Sequence, residues 1–330
     1  MQKTPESAGK IKEPVKEKGR SGFWTLYLKE LADHLEGNRL LIIMLMLFVV
    51  MLVSLSGTAK EIRESGVTNS QYMFLALITT NSTVYSFASF LAFLGPLAGI
   101  VLGFDAINNE QNIGTLNRLA SQPIYRDAII NAKFLAGATV ILITVAALAG
   151  LSIGFGMLST GIVPTGEEVF RVLVFFVLTF VYISLWLAVA ILFSVICRYT
   201  ATAAIVCLAL WLFMTMFMSL AANWIAGALY PISDSMRGYM NVQANYELNL
   251  AVNRISPYYL FTEAATTMLN PSVRSIGIMT VEQLSGALSS YLSPGQSLLL
   301  IWPHIVVMTA IAAVSFGAAY IVFMRREIRA

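Results

Sequence analysis

The sequence predicts an all-α integral membrane protein with six transmembrane helices, an N-terminal amphipathic surface helix and a helical extracytoplasmic loop before the last span. The chain is 57% hydrophobic and only 12% charged, with a mean hydropathy of +0.73, whereas soluble domains carry about 25% charged residues. Six charge-free runs are long enough to cross a bilayer core of about 30 Å as helices. The predicted spans are about 39–57, 84–104, 134–156, 172–195, 203–225 and 297–324.

The N-terminal region divides into a tail and a helix. Residues 1–20, rich in Lys, Glu, Pro and Gly, are expected to be a disordered cytoplasmic tail. Residues 21–38 predict an amphipathic helix on the membrane surface, with charged side chains such as Lys29 and Glu30 on its other face. The residues expected to face the membrane lipids are Trp24, Tyr27, Leu28 and Leu31. The alternative is a plain extension of the first span.

The second span carries three glycines four residues apart, Gly95, Gly99 and Gly103. This spacing places all three on one helical face, where small residues allow another helix to approach closely. We therefore predict a helix-packing role for this stripe. The alternative is that glycine is simply frequent in membrane helices.

The polar stretch at 105–133 lies between two strongly apolar runs. Ile113, Leu116, Leu119 and Ala120 share one face of a predicted short helix, and Pro123 ends it before a second helical segment enters the third span. Fifteen of the 21 Lys and Arg residues fall on the side of this loop and of both termini. The positive-inside rule therefore places the loop and both termini in the cytoplasm. An amphipathic connector resting on the bilayer is the alternative to a docking element.

The loop at 226–296 falls on the opposite side by alternation and contains helix signals. Ser256 followed by Pro257 is typical of a helix start, and Thr280 with Gln283 forms a capping box. We expect a small helical cap outside the membrane, which gates export or receives an extracytoplasmic partner; the alternative is a packing role alone.

The sequence lacks the residues that several functional classes of protein require. Gly9 and Lys10 form the only Gly-Lys pair, and they do not belong to a phosphate-binding G-x-x-x-x-G-K-[ST] loop. Asp105, Arg171 and His304 lie at or near predicted span ends, so an ion-coupled relay is disfavoured. The sequence shows no Cys/His cluster with metal-ligand spacing and no catalytic pair within the bilayer. We expect no metal, no nucleic-acid partner and no enzymatic activity in this chain, so energy for any work must come from a partner.

Two motifs resemble a known family. Residues Glu110 to Lys133 match the pattern E-x-x-x-GT-L-x-x-L-x-S-x-P-x-x-R-x-x-I-I-x-x-K of type-2 ABC transporter permeases, in particular the subgroup that includes the permease of the nitrous oxide reductase maturation system. The stretch ISPYYLFTEAATTMLNP, from Ile255 to Pro271, resembles a second segment of that subgroup, with Met268 in place of a leucine.

The resemblance implies that residues 39–330 form a six-span permease domain of an ATP-driven exporter. Residues 21–38 would be its connecting helix, and 105–133 would contain its coupling helix. The expected partners are a cytoplasmic ABC ATPase subunit, which would hold the ATP and Mg, a second permease subunit, identical or different, and membrane lipids. The location implied is the cell (inner) membrane of a bacterium or archaeon. The residues assigned to ATPase coupling are Glu110, Ile113, Gly114, Thr115, Leu116, Leu119, Pro123 and Arg126. An ion-driven secondary transporter or a channel remains the alternative function.

Overall fold

The computed structural model describes residues 22–64, 72–79, 86–114, 125–232, 236–271 and 291–325. Every regular element in these ranges is a helix. Before the third predicted span, the chain forms α1 (Gly22–Glu36), α2 (Asn38–Glu64), α3 (Met73–Thr79), α4 (Phe87–Gly103) and α5 (Asn108–Ile113). After it come α6 (Arg126–Thr160), α7 (Gly166–Ile196), α8 (Thr200–Leu212), a π-helical turn (Phe213–Phe217), α9 (Met218–Leu229), α10 (Met236–Asn253), α11 (Pro257–Leu269) and α12 (Pro294–Arg325).

Six helical stretches in the described ranges are long and apolar enough to cross a membrane, which confirms the predicted fold class. They are Leu41–Glu64, Phe87–Ile113, Arg126–Thr160, Gly166–Ile196, Thr200–Leu229 and Pro294–Arg325. The third span is longer than the charge-free run, because its helix already begins at Arg126, directly after Tyr125. The chain is therefore a multi-pass membrane protein.

The fourth span, α7, is the centre of the bundle. In its most apolar window 72% of the residues are buried, compared with 22% in the fifth span and 11% in the sixth. Trp186, Tyr182 and Phe175 of α7 are completely or almost completely buried. The fifth and sixth spans therefore present most of their apolar side chains to the outside of this subunit.

The bundle has two ends, which we call basal and distal. At the basal end α1, α5 and the first turns of α6 meet. At the distal end lie α3, α11 and the starts of α7 and α12. Arg171 of α7, fully buried, holds the distal end together by donating to Glu167, to the Met268 and Leu292 carbonyls and to Ser297 Oγ, over 2.5 to 3.0 Å. All five guanidinium N–H groups can thus be satisfied, which makes burial of this charge tolerable.

The chain between the fifth and sixth spans contains the helices α10 and α11. The start signal at Ser256 and Pro257 does begin a helix, because Ser256 Oγ accepts from the Tyr259 backbone N–H. The helix α11 packs against the membrane domain, since Phe261 stacks on Tyr182 of α7 and Leu260, Phe261 and Met268 are buried. The capping box at Thr280 and Gln283 lies outside the described residues.

Candidate functional site

The basal end contains a cluster of five charged side chains that come from three different helices. Lys133 of α6 is only 5% exposed and donates over 2.8 Å to Glu30 Oε2 of α1 and over 2.8 Å to Glu110 Oε1 of α5. Lys29 lies 3.0 Å from both Glu30 and Asp33, and 3.8 Å from Glu110. A buried lysine between two carboxylates therefore ties the surface helix and the α5 segment to the base of the third span.

These charged side chains can be buried together because the lysines and the carboxylates neutralise one another. Burial on its own raises the pKa of Glu30, but the charges and hydrogen bonds of Lys133 and Lys29 outweigh it, and the pKa lies below its ordinary value. Burial acts to lower the pKa of Lys29, yet Glu30 and Asp33 raise it overall. Both groups are therefore ionised at neutral pH. A charged pair held this way resists separation, because removing one partner leaves the other charge buried and unpaired.

The short helix α5 owes its position to a residue on the fourth span. Its N-cap, Ile107, has no side-chain acceptor, so Ser194 Oγ of α7 accepts the Ile107 and Asn108 backbone N–H groups at 2.9 and 3.3 Å. Gly114 ends the helix in the left-handed region at φ +81°. A side chain is costly there, so glycine at this position has a conformational reason.

The outward face of α5 is open. Ile113 is 68% exposed and Tyr125, just before α6, is 84% exposed. Glu110 points inward to Lys133, and Arg126 is the first, half-buried residue of α6. Of the eight residues assigned to ATPase coupling, the structure thus brings Glu110 into the ionic cluster and leaves Ile113 on the surface. Thr115, Leu116, Leu119 and Pro123 lie outside the described residues.

The faces of the surface helix α1 differ from the expected ones. Tyr27 is buried against α6, where its hydroxyl donates to Thr139 Oγ1 over 3.0 Å, and Glu30 is buried rather than solvated. Trp24 is 45% exposed and stacks on Tyr27, while Leu28 and Leu31 are half-buried. Tyr27 and Glu30 share a face because they are three residues apart. That this face meets the third span follows from the charge of Lys133 opposite it.

A groove of about 570 Å³ opens beside the cluster, between α1 and the basal end of α4. Lys29, His34, Arg39, Asp105 and Glu110 contribute to its wall. Arg39 at the start of α2 is ion-paired with Asp105, which follows α4, and both residues line the groove. Burial lowers the pKa of His34. The groove carries both signs of charge, which suits a polar protein surface better than a small ion of one sign.

The glycine stripe of the second span lies against the fourth span. A Cβ atom at Gly99 would be 2.9 Å from the Leu187 backbone nitrogen, and one at Gly103 would be 2.9 Å from the Leu187 carbonyl oxygen. At Gly95 the nearest atom, in the side chain of Ile183, would be 3.4 Å away. Only glycine fits at the two basal positions, so α4 and the end of α7 that holds α5 are in backbone contact.

Sequence reasoning missed three residues of this site. Glu30 was expected on a solvated face, Ser194 is an unremarkable serine in an apolar run, and Lys133 was seen as part of a motif without a contact. Lys133 alone carried a signal, since it directly precedes the predicted third span, and a lysine at the edge of an apolar run that becomes buried needs a partner. The pairing with Glu30, 103 positions away in the chain, cannot be read from local sequence.

Comparison with known proteins gives the same family as the motifs. The family model for ABC-2 family transporter proteins matches residues 24–328. Two proteins described as probable ABC transporter permease protein NosY, from Pseudomonas aeruginosa and Stutzerimonas stutzeri, are each 34% identical to this chain over 147 and 146 residues. Each match covers 44% of this chain and 47% of the relative, so the match spans about half of these relatives. Since the family model covers nearly the whole chain, the chain belongs to the ABC-2 family of transporter proteins.

Proposed function

We propose that this chain is the membrane-spanning permease subunit of an ATP-driven exporter. It is non-catalytic, and a separate cytoplasmic ATPase subunit binds ATP and Mg and hydrolyses the nucleotide. Membership of the ABC-2 family supports the permease role. The two relatives are described as ABC transporter permeases, which supports the same assignment for this chain.

The observation that carries the proposal is the Glu30–Lys133–Glu110 cluster. It joins a surface helix, a short helix with an open outer face and the base of a span into one unit. A soluble partner that moves the open face of α5 therefore also moves α6, because the two are joined by a buried ion pair. From α5, displacement also reaches the central helix α7 through Ser194. The partner surface comprises Ile113, Gly114 and the residues that follow up to Arg126.

The orientation and assembly belong to the same proposal. The bias of Lys and Arg places the basal end and both termini in the cytoplasm, in the inner membrane of a bacterium or archaeon. A second permease subunit completes the transporter, and the exposed apolar side chains of the fifth and sixth spans are available to it and to lipids. The segment at 226–296 faces the other compartment, where an extracytoplasmic partner could reach it.

Purification with the ATPase subunit tests the coupling assignment. We expect that Ile113→Asp, a charge on the open face of α5, abolishes co-purification and permease-stimulated ATP hydrolysis. Val163→Asp is the matched control, because Val163 is 72% exposed at the distal end of the subunit, next to α6. If Ile113→Asp left association and stimulation equal to those of Val163→Asp, the docking surface would be assigned wrongly.

Transport in vesicles separates the exporter from the ion-driven alternative. We expect transport that requires ATP and stops when the ATPase is inactivated. Transport without ATP, driven by an imposed ion gradient, would refute the exporter proposal.

A further inference from the structure

A cavity of about 380 Å³ lies at the distal end, between α3, the start of α4 and one face of α11. Its polar lining residues are Thr79, Ser86, Ser89, Thr262, Thr266 and Asn270. Thr266 and Asn270 are exposed, so the cavity opens to the surface of the subunit. Its volume falls within the range of about 300–1,000 Å³ that is typical of ligand pockets. We call it the distal cavity.

The polar wall on α11 follows from the spacing of its residues. Thr262, Thr266 and Asn270 are four residues apart, so they share one helical face. Phe261 and Met268 lie on another face of the same helix and are fully buried. The helix α11 therefore packs on the bundle with its apolar face and presents hydroxyl groups to the distal cavity.

Three threonines of the distal cavity use their hydroxyl protons within their own helices. Thr262 Oγ1 donates to the Tyr258 carbonyl over 3.0 Å, and Thr266 Oγ1 donates to the Thr262 carbonyl over 2.8 Å. Thr79 Oγ1 donates to the Leu75 carbonyl over 3.0 Å. A hydroxyl oxygen whose proton is already used still has a lone pair that accepts. These threonines therefore offer acceptors to a ligand.

The start of α4 supplies donors to the same cavity. Ser86 Oγ accepts the Ser89 backbone N–H over 3.2 Å, which caps one N–H group of the first turn. The backbone N–H groups of Phe87 and Ala88 come before it and have no acceptor among the residues that the structure describes. Ala88 lines the cavity. Uncapped N–H groups at the start of a helix bind acceptor atoms, so a ligand that fits must accept as well as donate.

The distal cavity is electrically neutral, because no lining residue in the described ranges carries a formal charge. Glu263 follows Thr262 in sequence, but its carboxylate accepts from Arg254 over 2.8 Å and lies 2.7 Å from His304 Nε2. An ion in the cavity would thus lack a counter-charge, and burying an unpaired charge is costly. Threonine methyl groups and Ala265 form the apolar part of the wall.

We propose that the distal cavity binds a neutral polyhydroxyl group, the chemistry of a free sugar or of the sugar headgroup of a glycolipid. Each hydroxyl of such a group donates and accepts, so the ligand satisfies the threonine oxygens and the Ala88 N–H together. The C–H faces of a sugar ring pack on the methyl groups of the wall. An apolar ligand would leave these polar groups unpaired. The site goes beyond the ATP-driven function, since it is a ligand site on the permease itself.

Saturation-transfer NMR with glucose as the probe tests the site, because this method detects weak binding to a large particle. The full chain is placed in phosphatidylcholine nanodiscs, and empty nanodiscs are the blank. We expect a glucose signal above the blank, and we expect Thr266→Val to weaken binding about threefold to tenfold, the loss of one neutral hydrogen bond. The absence of a glucose signal above the blank overturns the proposal.

Thr309→Val is the matched control. Thr309 is exposed like Thr266, and its hydroxyl likewise donates over 2.8 Å to the carbonyl four residues before it, but it lies on α12 and does not line the distal cavity. Equal glucose affinities of Thr266→Val and Thr309→Val would refute the site. Both variants replace an exposed residue, so both should keep the thermal unfolding midpoint of the parent protein. If Thr266→Val does not fold, the glucose signal of the parent protein and its response to ions still decide the question.

Competition experiments test the ligand class and its source. Sulfate or ammonium at the concentration of glucose should leave the glucose signal unchanged; displacement by either ion would overturn the assignment to a neutral ligand. Adding a monoglucosyl lipid to the nanodiscs separates the two sources of the sugar. Displacement of glucose assigns the cavity to a lipid headgroup, and retention of the signal assigns it to a soluble sugar, so either result supports a polyhydroxyl site. None of these readouts requires the ATPase.

Discussion

Replacing Lys133 by methionine is the most direct test of the basal cluster. Methionine keeps much of the length and apolar stem but removes the charge that Glu30 and Glu110 share at 2.8 Å each. Removing one partner of a buried ion pair typically costs about 3–5 kcal/mol. Lys29 stays 3.0 Å from Glu30 and compensates in part. We therefore expect a loss of about 3 kcal/mol in the free energy of unfolding, at the lower end of that range.

The assay is denaturant unfolding of the purified protein in detergent micelles, with ATPase association measured on the same samples. Lys60→Met is the matched control, because Lys60 forms an exposed pair with Glu64, 3.8 Å away, and is itself 76% exposed. Exposed pairs of this kind contribute about 0.5 kcal/mol or less. Equal losses in Lys133→Met and Lys60→Met would refute the view that the cluster holds the basal end together.

A double-mutant cycle separates the contact from the rest of the cluster. Combining Lys133→Met with Glu110→Gln should cost less than the sum of the two single changes, because the second change removes a carboxylate whose 2.8 Å contact with Lys133 the first change has already removed. Strict additivity would indicate that Lys133 and Glu110 do not interact in the folded protein.

Three other predictions concern the glycines and the acid response. Gly99→Ala should lower the free energy of unfolding by about 1–3 kcal/mol, because the added methyl group overpacks the contact with α7. Gly95→Ala is the control and should be neutral, since its added methyl group would lie 3.4 Å from the nearest atom. Equal losses of stability in the two variants, measured by thermal unfolding, would contradict the close approach of α4 to α7. Gly114→Ala should lower the free energy of unfolding by about 1–2 kcal/mol, because alanine is strained at φ +81°, and it should weaken ATPase binding roughly tenfold. Gly114→Asn should bind the ATPase nearly normally, because asparagine tolerates the left-handed conformation. Equal binding of the two variants would contradict the importance of the left-handed turn at Gly114. Because the pKa of Glu30 lies below its ordinary 4.5, its contribution to stability is full above about pH 4.5 and is lost as the pH falls through the lowered pKa. Acid unfolding curves should show this loss, and Glu30→Gln should reduce it; a variant as acid-sensitive as the parent protein would disprove the pairing.

Local patterns in the sequence are sufficient to predict the membrane spans, but they do not predict which face of each helix is buried. A charge-free run of about 20 residues has few alternatives to a membrane helix, because unpaired backbone groups are costly in lipid. Glu30 shows where such reasoning stops. Its neighbours in sequence predict a solvated face, and only Lys133 on a distant helix makes burial favourable. His304 shows the same for the distal end, where the partner Glu263 comes from a helix expected outside the membrane.

The sequence by itself determined the membrane class, the six spans, the polar segment at 105–133 and the family, since each depends on composition, periodicity or a motif within one stretch of chain. Only the tertiary structure decided that α7 is central, that Gly99 and Gly103 touch its backbone, that Lys133 joins three helices and that His304 contacts Glu263. These contacts connect positions far apart in the chain. The physical reason is that a buried charge is stable only beside its partner, and packing alone decides which residue that partner is.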